Sequence, residues 1–256
     1  MTVLFAGTYN SRDTGGIPLA GGGQTQAGVL LRSDALVALT DVGLGELDVS
    51  PIGTIVDFRT ATERSEAPDR LPPRPLDTVH LSVLEGAMTG MAASPQVSSD
   101  AVKAAMAQVP TLADLYVGML RHGAASFARV ARLVARPTDG VKRAVLVHCT
   151  AGKDRTGVAA AVLLDAVGAQ RDAVIADYTL SQQNLAGEWA ERMLHYIASR
   201  GVSVGPQVEQ LVTATPPEAM QAALGWLDDQ GGSVAYLRAA GIGDDELALL
   251  RARLGG

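Results

Sequence analysis

The chain has 256 residues, 47% of them hydrophobic, enough to build one large core, and a single domain spanning residues 1–256 is the expected organisation. Asp and Glu outnumber Lys and Arg by 27 to 21, so the net charge of −6 offers no general attraction for nucleic acid or an anionic membrane, and any anion site has to be local. The mean hydropathy of +0.16 comes from Ala, Val and Leu scattered through periodic segments, and runs such as AAAVLL at 159–164 are far shorter than a bilayer requires, so no stable membrane insertion is expected.

The N-terminal residues MTVLFAGTYNSRD lack the basic start, long apolar centre and small-residue cleavage site of a secretory signal. A cytoplasmic location is expected, with export that needs no such signal left open. Up to about residue 50 the chain is rich in Gly and turn residues, which reads as an irregular start with a hairpin or two and a short strand at 28–31. The β-branched run TIVDF, ending at Asp57, Phe58 and Arg59, predicts a buried strand that enters a loop. ERSEAPDRLPPRP is charged and proline-rich and reads as a surface connection to a third strand at 78–83. From 84 to about 110 the pattern loosens around a weak helix at 99–108, and this stretch is read as a helical lid.

A better helix is predicted over 111–135, where Leu112, Leu115, Met119, Leu120, Phe127, Val130, Ala131 and Val134 recur at helical spacing before Pro137. RAVLVH at 143–148 is the strongest strand in the chain, followed at once by CTAGKDRTG and an apolar helix at 158–167 closed by Gly168. The remainder reads as helices at 171–185, 188–199, 216–229, 233–239 and 244–254. Strands confined to the first 150 residues and separated by helical stretches predict an α/β fold, a largely parallel central sheet flanked by helices, with a helical C-terminal part.

The chemistry is concentrated in His148-Cys149-Thr150-Ala151-Gly152-Lys153-Asp154-Arg155-Thr156-Gly157, set where a buried strand stops and a helix begins, the place where open α/β sheets bind ligands. The chain has one cysteine, which excludes an internal disulfide and a Cys-based metal cluster and leaves an inert thiol or a reactive one. A Cys and an Arg separated by five residues can close a loop whose N–H groups of Thr150, Ala151, Gly152 and Lys153 point inward, while the following helix adds its positive end. Such a cradle fits a tetrahedral dianion, and the forked guanidinium of Arg155 can meet two of its oxygens. The same dipoles favour negative charge on the Cys149 sulfur, placing a thiolate for in-line attack on phosphorus. Thr156 can offer its hydroxyl to that sulfur, His148 can hold the loop by hydrogen bonds, and Gly152 and Gly157 allow tight turns and close approach.

HCxxGKxRTG resembles the signature loop of the protein tyrosine phosphatase superfamily, and HCTAGKDR is similar in form to the bacterial tyrosine and phosphoinositide phosphatase family within it. NSRDTGG at 10–16, LRSD at 31–34, VDFRTATERSEAPDRLP at 56–72 and SVAYLRAAGI at 233–242 extend the resemblance over most of the chain. It implies a cysteine-dependent phosphomonoester hydrolase acting through a cysteinyl-phosphate, with phosphotyrosine proteins or phosphoinositides as substrates and partners, phosphate ion as product, and no cofactor or metal. The departures are Ser11 and Thr14, where the family commonly carries larger apolar residues.

Many tyrosine phosphatases protonate the leaving oxygen from the Asp of a Trp-Pro-Asp loop, and no Trp-Pro-Asp occurs here. Asp154, inside the signature loop, is the favoured acid, and Asp57 the alternative, with an N-cap or an ion pair to Arg59 as its plainer role. Lys153 is read as a basic group at the rim that can bind further phosphates, and Asp57 and Arg59 as residues lining the site. Arg12, Asp13, Arg59 and Glu63 are expected to form a polar network under the loop. Two rival readings are a catalytically silent phosphate-binding module and a rhodanese-like sulfurtransferase or arsenate reductase. Retention of Cys149, Asp154 and Arg155 together argues against the first, and the lack of resolving cysteines against an arsenate reductase.

Overall fold

The computed structural model describes residues 3–83, 111–137, 140–201 and 203–256. Its centre is a sheet of five strands, β1 (Arg12–Asp13), β2 (Leu30–Ser33), β3 (Ile52–Asp57), β4 (Asp77–His80) and β5 (Ala144–His148), in the order β1-β2-β5-β3-β4. Only the short edge pair β1–β2 is antiparallel; β2–β5, β5–β3 and β3–β4 are parallel. Every residue of β2, β3 and β5 is buried, which explains why TIVDF and AVLVH read as unbroken apolar runs: a parallel sheet is covered on both faces.

The period of two decides which core each side chain joins. Val145 and Val147 of β5, Leu30 of β2 and Val56 of β3 enter the larger core, while Ala144, Leu146, Leu31 and Ile55 enter the smaller one on the opposite face. The larger core is filled by α3 (Leu112–Ala135), α4 (Asp154–Ala166), α5 (Arg171–Asn184), α8 (Pro217–Asp229), α9 (Gly232–Ala239) and α10 (Asp244–Leu250), which continues as a π-helical turn at Arg251–Gly255. Helix α3 starts at a reciprocal cap: the Thr111 hydroxyl accepts from Asp114 N–H, and the Asp114 carboxylate accepts from Thr111 N–H. Helix α4 is buried almost throughout, as its Ala and Val content requires.

The smaller core is covered by α1 (Asp41–Val49) and a 3-10 turn at Leu36–Ala38. Helix α1 stands where the sequence reads as irregular, and α2 (Ala61–Glu66) runs into the first four residues of the supposed surface connection at 63–75. Both begin with a Thr cap, Thr40 and Thr60, a local signal that the surrounding Gly and Pro obscured. Helices α6 (Glu188–Ser199) and α7 (Pro206–Thr213) complete the chain. Among the described residues no helix is long and apolar enough to cross a membrane. The segment 84–110, read as a lid with a weak helix at 99–108, lies outside the described residues.

Candidate active site

The parallel registers bring the carboxyl ends of three strands level, Ser33 and Asp57 each opposite His148, and residues 149–153 arch from this edge into α4. The loop carbonyls are all drawn outward. Thr150 O accepts from Ala35 N–H at 3.1 Å, Ala151 O and Gly152 O accept from the Asn10 amide at 3.0 and 3.1 Å, and Gly152 O also accepts from Arg32 Nη2 at 2.8 Å. Cys149 O lies 3.4 Å from His148 Nδ1, and Lys153 O accepts from Gly157 N–H. The N–H groups of Thr150, Ala151, Gly152 and Lys153 have no acceptor among the described residues. Carbonyls out and amides free is the arrangement that binds an anion.

Gly152 makes the turn with φ +63°, and a Cβ there would lie 2.2 Å from Ser33 O. Gly157 is required for packing: a Cβ would come within 3.2 Å of the Tyr178 ring and 3.4 Å of Arg32 Nη2. Arg32 is in turn held by Asp177 at 2.5 Å, which also pairs with Arg12 at 2.7 Å, all three side chains being buried. Burial pushes the Asp177 carboxyl up, but the two guanidinium groups outweigh it and hold it below the ordinary range. Asp34, pushed by burial up to about 6, accepts from the N–H groups of Tyr9 and Asn10 and so fixes the segment that carries the Asn10 amide.

Cys149 sits at the base of the loop, only 1% exposed. Arg155 projects from the first turn of α4, also buried, and forms a two-pronged pair with Glu63, Nη1–Oε2 and Nη2–Oε1 both 2.8 Å. The Glu63 carboxylate accepts from the Thr150 hydroxyl as well, at 2.6 Å, and closes the capping box of α2. Burial opposes the charge on Arg155, but the Glu63 hydrogen bonds and the negative charges of Cys149, Glu63 and Asp154 raise its basicity above the ordinary value. Asp154 is the first residue of α4, 27% exposed on its side chain, with Oδ1 accepting from the Tyr116 hydroxyl at 2.6 Å.

Lys153, Asp57 and Thr156 stand differently from the sequence expectation. Lys153 is not at the rim: its side chain is 1% exposed, and its ammonium donates to the carbonyls of Leu211, Val212 and Ala214 at the end of α7, where a cation is favoured. Asp57 lies beneath the loop rather than along the site and takes its plainer role, the ion pair to Arg59, while Arg59 also lines the pocket beside the loop. Asp57 is fully buried and takes Arg59 Nε and Nη2, while Arg59 also binds Asp69 at 2.6 Å and the Ala67 carbonyl. Thr156 is buried inside the first turn of α4, and its hydroxyl has no hydrogen-bond partner among the described residues, so the expected bond to sulfur is not formed. Asp57, Asp69 and His148 have the donor types and proximity of a metal site, but the cation between the two carboxylates is the Arg59 guanidinium.

The expected network under the loop is therefore two networks, Arg12–Asp177–Arg32 on one side and Asp57–Arg59–Asp69 with His148 on the other. Asp13 belongs to neither and accepts from the N–H groups of Gly15 and Gly28. Asn10, Asp34, Asp69, Tyr116 and Asp177 escaped the sequence reading. Asn10 and Asp34 stand within or beside segments already noted, whereas nothing local marks Asp177. Beside the loop lies a pocket of about 620 Å³ that runs from Thr150 and Glu63 along Ala35, Val37, Tyr9 and Trp189.

Comparison with known proteins agrees with this geometry. A model of the tyrosine phosphatase family matches residues 3–256. A tyrosine-protein phosphatase of Nostoc commune is 30% identical over 235 residues, covering 90% of this chain and 75% of its own. A protein of Mycobacterium tuberculosis named triple specificity protein phosphatase PtpB is 30% identical over 274 residues, covering 92% of each. The chain belongs to the tyrosine phosphatase family and is an enzyme of the phosphoric monoester hydrolase class.

Proposed function

We propose that residues 1–256 act as one phosphatase domain that hydrolyses phosphotyrosine through a covalent cysteinyl-phosphate. The observation that carries this reading is the loop of free N–H groups over Cys149, flanked by Arg155. A phosphate dianion seated there accepts from the amides and from the guanidinium, which shares its fork with Glu63. The Cys149 thiolate attacks phosphorus; the S–P bond forms as the P–O bond to the aryl group breaks, and Asp154 gives its proton to the departing oxygen. In the second half, water attacks phosphorus, loses its proton to the Asp154 carboxylate, and displaces the thiolate, so that phosphate leaves and the enzyme is restored.

An aryl ester is favoured because the pocket beside Thr150, though Asp34, Arg59, Glu63, Glu66 and Arg192 also line it, presents Tyr9, Ala35, Val37, Trp189 and Met193 as an apolar and aromatic wall able to take a ring. Lys153 gives no support to an inositol phosphate substrate, since its ammonium is committed to three carbonyls. Asp154 is preferred to Asp57 as the acid because Asp57 is wholly buried among Arg59 bonds. In the test, Cys149→Ser abolishes hydrolysis of p-nitrophenyl phosphate while still binding the ester; unchanged turnover eliminates the covalent route. A panel of phosphopeptides and phosphoinositides captured with the Cys149→Ser variant ranks the substrates, and preferential capture of inositol lipids would overturn the aryl preference.

A further inference from the structure

The Asp154 carboxylate is held from one side only. Oδ1 accepts from Tyr116 at 2.6 Å and lies 3.6 Å from Lys153 Nζ, whereas Oδ2 has no hydrogen bond or ion pair among the described residues. Tyr116 is fully buried on α3, and its hydroxyl also meets that of Tyr178, on α5, at 2.8 Å. The two rings pack edge to face, 5.8 Å between centroids and 86° between planes. An ionised carboxylate has no proton to give, so the single Tyr116 proton points at Asp154 and the Tyr178 proton points at Tyr116. The direction of the chain is thus fixed from the core outward: Tyr178, Tyr116, Asp154 Oδ1.

A tyrosine hydroxyl buried at this depth needs a partner, and Tyr178 alone would supply one. The additional bond to the Asp154 carboxylate has a consequence for the reaction. We propose that Tyr116 is a positioning residue for the general acid: it fastens Oδ1 to the core and leaves Oδ2 as the oxygen that carries the proton to the leaving group. When Asp154 is protonated, the proton resides on Oδ2, and Oδ1 still accepts from Tyr116. When the proton has been given away, the same bond stays in place, so the carboxylate does not have to turn between the two halves of the cycle. Burial first, then the Asp154 charge, keeps the Tyr116 phenol neutral far above the working pH, so it stays a donor throughout. Helix α4 carries Asp154, while α3 and α5 carry the two tyrosines, and the approach of Tyr178 depends on the missing side chain at Gly157.

This inference rests on Asp154 as the acid, and the test separates the two. kcat/KM is measured for the full chain with 2,4-dinitrophenyl phosphate, p-nitrophenyl phosphate and phenyl phosphate, whose leaving groups need a proton increasingly. Asp154→Asn should lose about a hundredfold or more with phenyl phosphate and far less with the dinitrophenyl ester. Tyr116→Phe should lose about tenfold with phenyl phosphate and less than about twofold with the dinitrophenyl ester, from misorientation of the donor. The Tyr116→Phe loss should vanish in an Asp154→Asn background. Tyr178→Phe, which keeps the Tyr116–Asp154 bond, should show the same leaving-group trend at smaller amplitude. Tyr236→Phe, another buried tyrosine whose hydroxyl goes to the Leu120 carbonyl, is the folding control and should slow no ester selectively. An equal loss across leaving groups, or additivity with Asp154→Asn, overturns the positioning role. Should Asp154→Asn itself leave phenyl phosphate turnover intact, the acid assignment fails first and the role of Tyr116 falls with it.

Discussion

Glu63→Gln removes one charge at the point where α2 meets the loop at 149–155 and leaves the shape nearly unchanged. Gln can still accept from Thr60 N–H and keep the capping box, so any loss traces to the partnership with Arg155 and Thr150. Burial pushes the Glu63 carboxyl up, but the Arg155 bonds and charge, with the Thr150 hydroxyl, bring it down to about 2 against an ordinary 4.5. That difference corresponds to about 3 kcal/mol of native-state stabilisation, reduced to about 2 kcal/mol because the side chain is 31% exposed and partly screened. A carboxyl with a depressed folded-state value stabilises fully above its unfolded value and loses that contribution as the pH falls through the folded one. Urea unfolding of wild type and Glu63→Gln at pH values from 7 down to 2 reads this directly. The variant should be less stable by about 2 kcal/mol at pH 7, and the gap should close between about pH 4.5 and 2. A gap independent of pH, or no gap at neutral pH, would refute the electrostatic account of how α2 is tied to the loop.

Two further substitutions address the loop itself. Gly152→Ala places a methyl group 2.2 Å from Ser33 O in a left-handed backbone conformation, so the loop must move: turnover of p-nitrophenyl phosphate should drop by a hundredfold or more, about what a displacement on the order of 1 Å costs, with a smaller fall in melting temperature. Retention of more than a tenth of wild-type activity would contradict it. Lys153→Met leaves three carbonyls of the α7 terminus without their donor and should cost about 1–3 kcal/mol in chemical denaturation, lowering turnover of phosphopeptides and inositol lipids alike. A selective loss with inositol lipids and unchanged stability would restore the rim role for this lysine.

The site shows why sequence reading reaches some residues and not others. Cys149, Thr150, Gly152 and Arg155 are legible because a loop of seven consecutive positions carries its own geometry, and strand-to-helix context is written in AVLVH before it and VAAAVLL after it. Asn10 and Arg32 are as important to that loop, since they bond its carbonyls from outside, yet they come from 141 and 120 positions away along the chain, and nothing local at residue 177 shows that it holds Arg32. Lys153 illustrates the opposite error. Its place in the motif puts it in the loop, but the direction of a long side chain is decided by what lies within reach, and the carbonyls of α7 captured it.

Hydrophobic periodicity and the unbroken apolar strands determined the α/β class, because each pattern is set by local burial on two faces of a sheet or one face of a helix. The spacing of Cys149 and Arg155 and the strand-to-helix context marked the loop, because adjacent backbone amides can turn to one side within a single short segment. Tertiary structure alone decided that Glu63 holds Arg155, that Arg12 and Arg32 share Asp177, and that Tyr116 and Tyr178 stand behind Asp154. Those are pairings between side chains on separate elements, and a buried polar group takes whichever partner the packing of the core brings within 3 Å, which no single stretch of sequence encodes.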